Sequence, residues 1–352
     1  MNAGARVLAA AALLAHAACG ETDVVAYRSL AACDAGGECA PPIDGGRDGG
    51  AGGDGGAAGR CAAATCESAL NCATPIPRAI VGDSCGDQPW VAPGFRHALC
   101  SCGDYVSSFP LTVRRAPRSA EQGAASIAID GTLTAGARID VAGAVYVAGD
   151  IDLDEQASLD AEAVQGQTGV ARCDCSADVV LAPDAVLALA PSNPSGFDAE
   201  RFGSVTTDEL IALTCGAYRV PRIAGPSGLN LTVTGHVVLV IEGDIELDAN
   251  LEATLADGAL LELFVLGNMR VAGALALGDD DDDVRVYVLG SGTIDLNAEA
   301  FIAGPLYAPG AELVTRSDLT TTGSIFVRRA APGGAVTIRY ASETAHATTC
   351  DQ

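Results

Sequence analysis

From about residue 125 to residue 340 the chain runs in short stretches of alternating apolar and polar residues, broken by Gly. Alternation with period two is the pattern of half-buried strands. GDIDLD (149–154) and GDIELD (243–248) are near-identical cases in the similar frames VYVAGDIDLD and VLVIEGDIELD. A shorter period shows in the second half. Gly243, Gly267 and Gly290 each close an apolar run (LVIEG, LFVLG, VYVLG) and each precede an alternating pair: Ile245/Leu247, Met269/Val271 and Ile294/Leu296. The pattern continues through PLYAPGAELV (305–314), GSIFV (323–327) and GGAVTI (333–338).

Self-similarity at roughly 20–30 residues, with several short strands per period, marks a β-solenoid. The expected fold is therefore all-β, a parallel β-solenoid. Each coil adds to the coil below, aliphatic side chains stack inside, and Gly, Asn and Asp mark the corners. Parallel crossovers favour a right-handed coil. The competing fold is a β-sandwich, for which Asp130-Gly131 and Asp257-Gly258 would serve as hairpin turns. One stretch breaks the β pattern. DAERFGSVTTDELIAL (198–213) has Thr206 and Thr207 as caps, Asp208 and Glu209 in a first turn, and Leu210, Ile211 and Leu213 following, which predicts a short helical insertion. It is expected on one side of the coil, stapled by the nearby cysteines.

The N-terminal third reads differently. Arg6 followed by the apolar stretch Val7 to Ala15 resembles an export signal over residues 1–18, too short to span a bilayer. Ala17-Ala18-Cys19 resembles a bacterial lipobox, which makes Cys19 the lipidation site. Cleavage after Ala15-His16-Ala17, giving a secreted protein, is the alternative. Residues 19–60 then form the lipidated N-terminus and a tether. PPIDGGRDGGAGGDGGAAGR (41–60) has no large apolar side chain after Ile43, so nothing offsets the entropy of ordering it. Residues 61–120 form a Cys-rich segment, and 121–345 the solenoid.

The chain has 13 Cys, an odd number. With Cys19 lipidated, twelve remain for disulfides in an oxidising compartment: Cys33, Cys39, Cys61, Cys66, Cys72, Cys85, Cys100, Cys102, Cys173, Cys175, Cys215 and Cys350. Their pairing is not readable from the sequence. Zinc is disfavoured because C-x2-C pairs are absent.

Charge narrows the partners. There are 45 acidic residues against 20 basic ones, a formal net charge of −25. Such a surface repels a phosphate backbone, so no nucleic-acid partner is expected. The expected partners are the lipid bilayer, through the N-terminal lipid, and glycan, matrix or other envelope proteins.

Catalytic chemistry finds little footing. Stacked carboxylates on neighbouring coils would meet the spacing that glycoside hydrolysis needs; Asp150, Asp152 and Asp154 lie on one strand face, and so do Asp244, Glu246 and Asp248. The same alternation describes any solvated face. No G-x-S-x-G elbow is present, and His97, His236 and His346 show no metal spacing. No catalytic residue is assigned, and a carbohydrate-active enzyme is the alternative reading. The run Asp279 to Asp283 reads as a solvated turn. Its sharper reading is a calcium site through Asp279, Asp281 and Asp283, the sole cofactor suggested.

ALCSCGDYV (98–106), VYVAGDIDL (145–153), LTCGAYRV (213–220), VVLVIEGDIEL (237–247), PLYAPGAEL (305–313) and GSIFV…VTIRYA (323–341) together resemble a domain of unknown function. That domain occurs in exported proteins and lipoproteins of GC-rich bacteria. The resemblance implies a single-stranded parallel β-helix and export, and brings no site residues. The reading that follows is an exported lipoprotein, lipid-anchored to the bacterial outer membrane or cell surface, with a structural or adhesive head.

Overall fold

The computed structural model describes residues 97–116, 125–166, 173, 175, 181–280 and 283–340. All of them fall in one compact unit, Arg78–Thr349. The signal, the lipidation site, the tether and residues 61–96 of the Cys-rich segment lie outside the described residues.

The chain forms a parallel β-solenoid with three faces, built in two windings. The first winding contains β1 (Leu99–Ser101), β2 (Tyr105–Ser107), β3 (Leu111–Arg115), β4 (Ile127–Ile129), β5 (Leu133–Ala135), β6 (Ile139–Val147), β7 (Ile151–Leu153) and β8 (Leu159–Gln165). The solenoid thus begins at Leu99, inside the stretch whose cysteine spacing suggested a separate segment. A crossover follows, with two short helices, α1 (Pro183–Leu187) and α2 (Glu200–Gly203).

The second winding opens with β9 (Glu209–Leu213), β10 (Gly216–Val220) and β11 (Ile223–Gly225). Two longer coils follow: β12 (Leu229–Val233), β13 (His236–Ile241) and β14 (Ile245–Leu247), then β15 (Leu251–Leu255), β16 (Leu260–Val265) and β17 (Met269–Val271). Next come β18 (Leu275–Leu277), β19 (Asp283–Val288) and β20 (Thr293–Leu296). The winding ends with β21 (Ala300–Ile302), β22 (Leu306–Thr315), β23 (Leu319–Thr321), β24 (Ile325–Pro332) and β25 (Val336–Tyr340). Strand pairing is parallel throughout the described residues, from β10 on β13 and β12 on β15 to β25 on β3 and β6 on β8.

The order of stacking is not the order of the chain. On the first face, β10, β13, β16, β19, β22 and β24 pair in succession, and β24 then pairs with β1, the first strand of the solenoid. From β1 the ladder continues through β4 and β6 to β8. The third face repeats this, with β25 on β3 in register from Val336↔Leu111 to Tyr340↔Arg115. The expectation that each coil lies on the one before it therefore fails at one place. The chain starts in the middle of the stack and winds to one end, here called upper. It then crosses to the lower end and winds back to meet its own first coil.

The inside is continuous through that joint. Leu229, Leu251, Leu275, Ala300, Leu319, Val336, Leu111, Ile139 and Leu159 form one column on the third face. All but Leu159 are nearly sealed from solvent. Each buried Leu contributes about 1.5–3 kcal/mol of hydrophobic stabilisation, and the alternation read in the sequence is the side-chain alternation of these strands.

The corners explain the Gly, Asn and Asp. Asp208, Asn250 and Asp318 each accept, through Oδ1, the N–H of a residue one coil on: Gly228, Ala274 and Ala335, all at 2.9 Å. Gly243 and Gly267 stack directly, with the Gly267 N–H donating to the Gly243 carbonyl at 3.1 Å. In the first winding Gly103, Gly131 and Gly149 repeat this stacking. Asp130-Gly131 and Asp257-Gly258 are thus solenoid corners rather than hairpin turns. GDIDLD and GDIELD occupy β7 and β14, equivalent positions on the second face near opposite ends of the stack.

The predicted helix over 198–213 is half corrected. Glu200–Gly203 is helical, but Glu209–Leu213 is a strand paired with β12. Ile211 and Leu213 face inward while Leu210 is 66 % exposed. That is period two, and pairing with a neighbouring coil outweighs the local helix signal. Nor does the insertion sit beside the coil; it closes the lower end. Phe202 is fully buried against the core, and Phe197 links it to Tyr218 of β10, with ring centroids 5.6 Å and 4.8 Å apart. The Asn193 side chain completes the free edge of β10. Its Nδ2 donates to the Arg219 carbonyl at 2.8 Å and its Oδ1 accepts the Arg219 N–H at 2.6 Å. Such caps remove the open edge that a solenoid end otherwise presents.

Candidate functional site

Three features place chemistry-bearing side chains together: the cysteines of the first coil, the outer surface of the first face, and the carboxylates of the upper end.

Cys100 lies on β1 and Cys102 just beyond it, and they bond to Cys173 and Cys175 respectively. The two C-x-C pairs meet in register, each bond closing a separation of 73 residues. They tie the start of the crossover to the coil at which the two windings meet. Cys215 is also in a disulfide. Cys19, Cys33, Cys39, Cys61, Cys66, Cys72, Cys85 and Cys350 lie outside the described residues.

The crossover is anchored to the first face at both ends, by these disulfides at β1 and by Asn193 at β10. Between the anchors the outward side chains of that face are buried, although outward positions on a solenoid normally meet water. Val240, Phe264, Tyr287, Tyr307, Phe326 and Cys100 form this buried outer column. Phe264 stacks on Tyr287 at 4.6 Å, and Tyr307 meets Phe326 at 5.3 Å. The first face is therefore buried on both sides, and HVVLVI (236–241) is buried without a break.

A polar cluster lies on the same surface. His236 Nε2 and Glu262 Oε2 are 2.8 Å apart, with side chains only 2 % and 3 % exposed. Arg285 Nη1 stands 3.6 Å from Glu262 Oε1, and its Nη2 is 3.3 Å from Asp283. The neighbouring Tyr287 phenol is pushed well above its ordinary range, first by burial and then by the Glu262 charge. Imidazole, carboxylate and guanidinium are the parts of an acid–base site. Here His236 and Glu262 are almost sealed while the Arg285 side chain keeps 18 % of its surface, and the arrangement ties β13 to β16 by a hydrogen bond and β16 to β19 by an ion pair. Sequence reasoning missed it. The signal was a Glu inside the otherwise apolar run LLELFV (260–265), one period after His236.

The stacked carboxylates anticipated for hydrolysis occur, but elsewhere. Asp140 and Asp160 are direct partners on adjacent coils. Arg138 bridges them at 3.2 Å and 2.8 Å, and Arg114 grips Asp140 with both terminal nitrogens. The hydrogen bond from Arg114 holds the Asp140 carboxyl below the usual range. Glu242 is lowered in the same way by Arg219. A general acid needs the opposite shift.

The other acidic residues are placed singly. Asp150, Asp152 and Asp154 are exposed around β7. Asp244 accepts the Asn268 N–H at 2.6 Å, Glu246 is exposed, and Asp248 pairs with Arg270 at 3.0 Å. Of the calcium candidates, Asp279 and Asp283 are described and Asp281 is not. Asp283 is engaged by Arg285, and Asp280 beside it pairs with Arg339. Among the described residues no group of three His, Cys, Asp or Glu is placed to hold a metal ion.

Residues 186–347 match the model of a family described as a domain of unknown function (DUF7305). The match begins within α1 and runs past β25, so it covers the second winding and leaves the first outside. No curated protein and no solved structure matches the chain. Residues 186–347 are thus similar to the DUF7305 family, and the first winding of the β-solenoid stacks on the last coil of that stretch.

Proposed function

We propose that the protein is an exported, lipid-anchored envelope protein whose solenoid is a rigid, non-catalytic surface for adhesive or structural contacts. The observation that carries this reading is the paired disulfide at the meeting point of the windings. Two bonds set in register across 73 residues each suit an oxidising compartment and are rare in a reducing one. The placement of charge supports the non-catalytic part. Asp140 and Glu242 are neutralised by Arg from a neighbouring coil, and the His236–Glu262 pair is almost sealed from solvent.

The test is the non-reduced intact mass of the mature protein from its native host, with a free-thiol count and fractionation of the cells. A diacylglyceryl or triacylglyceryl mass on Cys19, no free thiol and recovery with membranes are expected. A start at Ala18 with soluble recovery would leave a secreted protein. Retention of residues 1–18 with free thiols at Cys100 and Cys173 would overturn export itself.

A further inference from the structure

The two ends of the solenoid are not alike. The lower end is closed by Phe202 and Asn193. At the upper end β8 pairs with β6 on one side, and no described strand pairs with its other side. The apolar interior is open there. Ile151, Leu153 and Leu159 are part-exposed and Ala163 is exposed, whereas Leu133, Ile139 and Val145 one coil below are sealed. Around this opening stand Asp150, Asp152, Asp154, Glu155, Asp160 and Glu162, all exposed, and residues 148–166 contain no basic residue. Asp160 is held by Arg138.

We propose that the upper edge is a docking site for a strand of another protein that alternates apolar and basic side chains. Strand addition needs unpaired backbone groups; among the described residues nothing pairs with the outer edge of β8, and the phase of that edge is known. The Gly166 N–H donates to the Val147 carbonyl at 3.0 Å. With Val147 opposite Gln165, the amides of Val164 and Gly166 face β6 and those of Ala163 and Gln165 face outward. The apolar half of an added strand covers Leu159 and Ala163, and its basic half meets Asp160 and Glu162 on the outer side of β8. The charge selects the occupant. A second copy brings the same acidic rim, and like charges oppose it. Residues 61–96 of this chain bring three acids against two Arg, so they are not cationic either.

The test uses the full-length, disulfide-bonded protein and a fluorescent eight-residue peptide alternating Val and Lys. A peptide with four Val followed by four Lys is the control. The alternating peptide is expected to bind at least tenfold more tightly than the block peptide at low salt and to slow amide exchange in β8. Ala163→Pro removes only an outward N–H, which edge strands tolerate, and is expected to reduce binding to the level of the block peptide. The Glu162→Lys protein, altered only at an exposed position of β8, is expected to lose binding too, and it decides the matter if the proline variant fails to fold. Equal binding of the two peptides, or unchanged binding by the variants, overturns the proposal. So does a free protein whose β8 amides are already protected and which binds neither peptide, because its own chain then fills the edge. A concentration-dependent dimer that excludes the peptide overturns it in favour of a second copy.

Discussion

Replacing Gly290 with alanine tests whether the coils touch at their glycine corners as closely as the structure requires. The obstacle there is space rather than backbone conformation. A Cβ at 290 would stand 2.1 Å from the Gly267 carbonyl oxygen and 2.5 Å from its carbon, whereas real Cβ contacts essentially never fall below 3.0 Å. The two coils must part by about 1 Å at this corner. They are joined beside it by the Leu289 N–H to the Val265 carbonyl at 2.8 Å and by the Thr293 N–H to Asn268 Oδ1 at 3.3 Å. Lengthened by that much, both leave hydrogen-bonding range. Each costs about 1 kcal/mol net, and up to about 3 where the freed group stays buried. The expected loss is about 3 kcal/mol, a large share of the roughly 5–15 kcal/mol that holds a domain folded. Gly258 is the control. Its φ is +71° and no atom lies within 4 Å of a Cβ there, so Gly258→Ala meets only the left-handed backbone penalty of about 1 kcal/mol. Urea unfolding followed by far-UV circular dichroism, without reductant, compares the two with the parent. Gly290→Ala should lose at least twice as much as Gly258→Ala. A Gly290→Ala protein as stable as the parent, or no less stable than Gly258→Ala, would refute the close-contact reasoning.

Other outcomes follow from the same structure. Phe202→Ala should cost about 3–5 kcal/mol and raise amide exchange first in β9, β10 and β12; uniform loosening along the stack would argue against an end cap. Removing the Cys102–Cys175 bond alone (both to Ser) should cost little, because Cys100–Cys173 closes a loop of the same length. Removing both bonds should cost about 4 kcal/mol by loop-closure entropy, so equal and additive losses in thermal unfolding would contradict the shared-loop argument. Asp140 should titrate below the ordinary carboxylate range. A lowered folded-state value means that its stabilising contribution is present above the unfolded value and is lost as pH falls through the folded one. Arg114→Met should raise its titration midpoint in side-chain carboxyl NMR, and an unmoved midpoint would remove Arg114 as the cause.

Much of the fold was legible along the chain. The apolar runs ending at Gly243, Gly267 and Gly290 marked equivalent corners, and the alternation in β14, β17 and β20 marked which side chains stack. The errors have physical causes. Glu209–Leu213 carries a short helix signal with a cap and an acidic first turn, but the partner strand β12 supplies hydrogen bonds and a buried side for Ile211 and Leu213 that local propensity does not weigh. The His236–Glu262–Arg285 cluster was missed because its members lie on three successive coils. Residues so far apart meet only when the register between coils is known. The open end at β8 was equally hidden, since its sequence resembles that of an interior strand.

What the sequence by itself determined is the repeating unit: strands with one side inward and corners of Gly, Asn and Asp. What the tertiary structure alone decided is the order in which the coils stack, which cysteines meet, and which end is closed. The reason lies in the parallel ladder itself. Every coil presents the same row of N–H and C=O groups and a similar column of aliphatic side chains, so β25 can accept β3 as readily as it could a coil that follows it. Such an edge carries no address. The address comes from the crossover, long enough to return from β8 to β9, and from the Cys100–Cys173 and Cys102–Cys175 bonds that hold its start against β1.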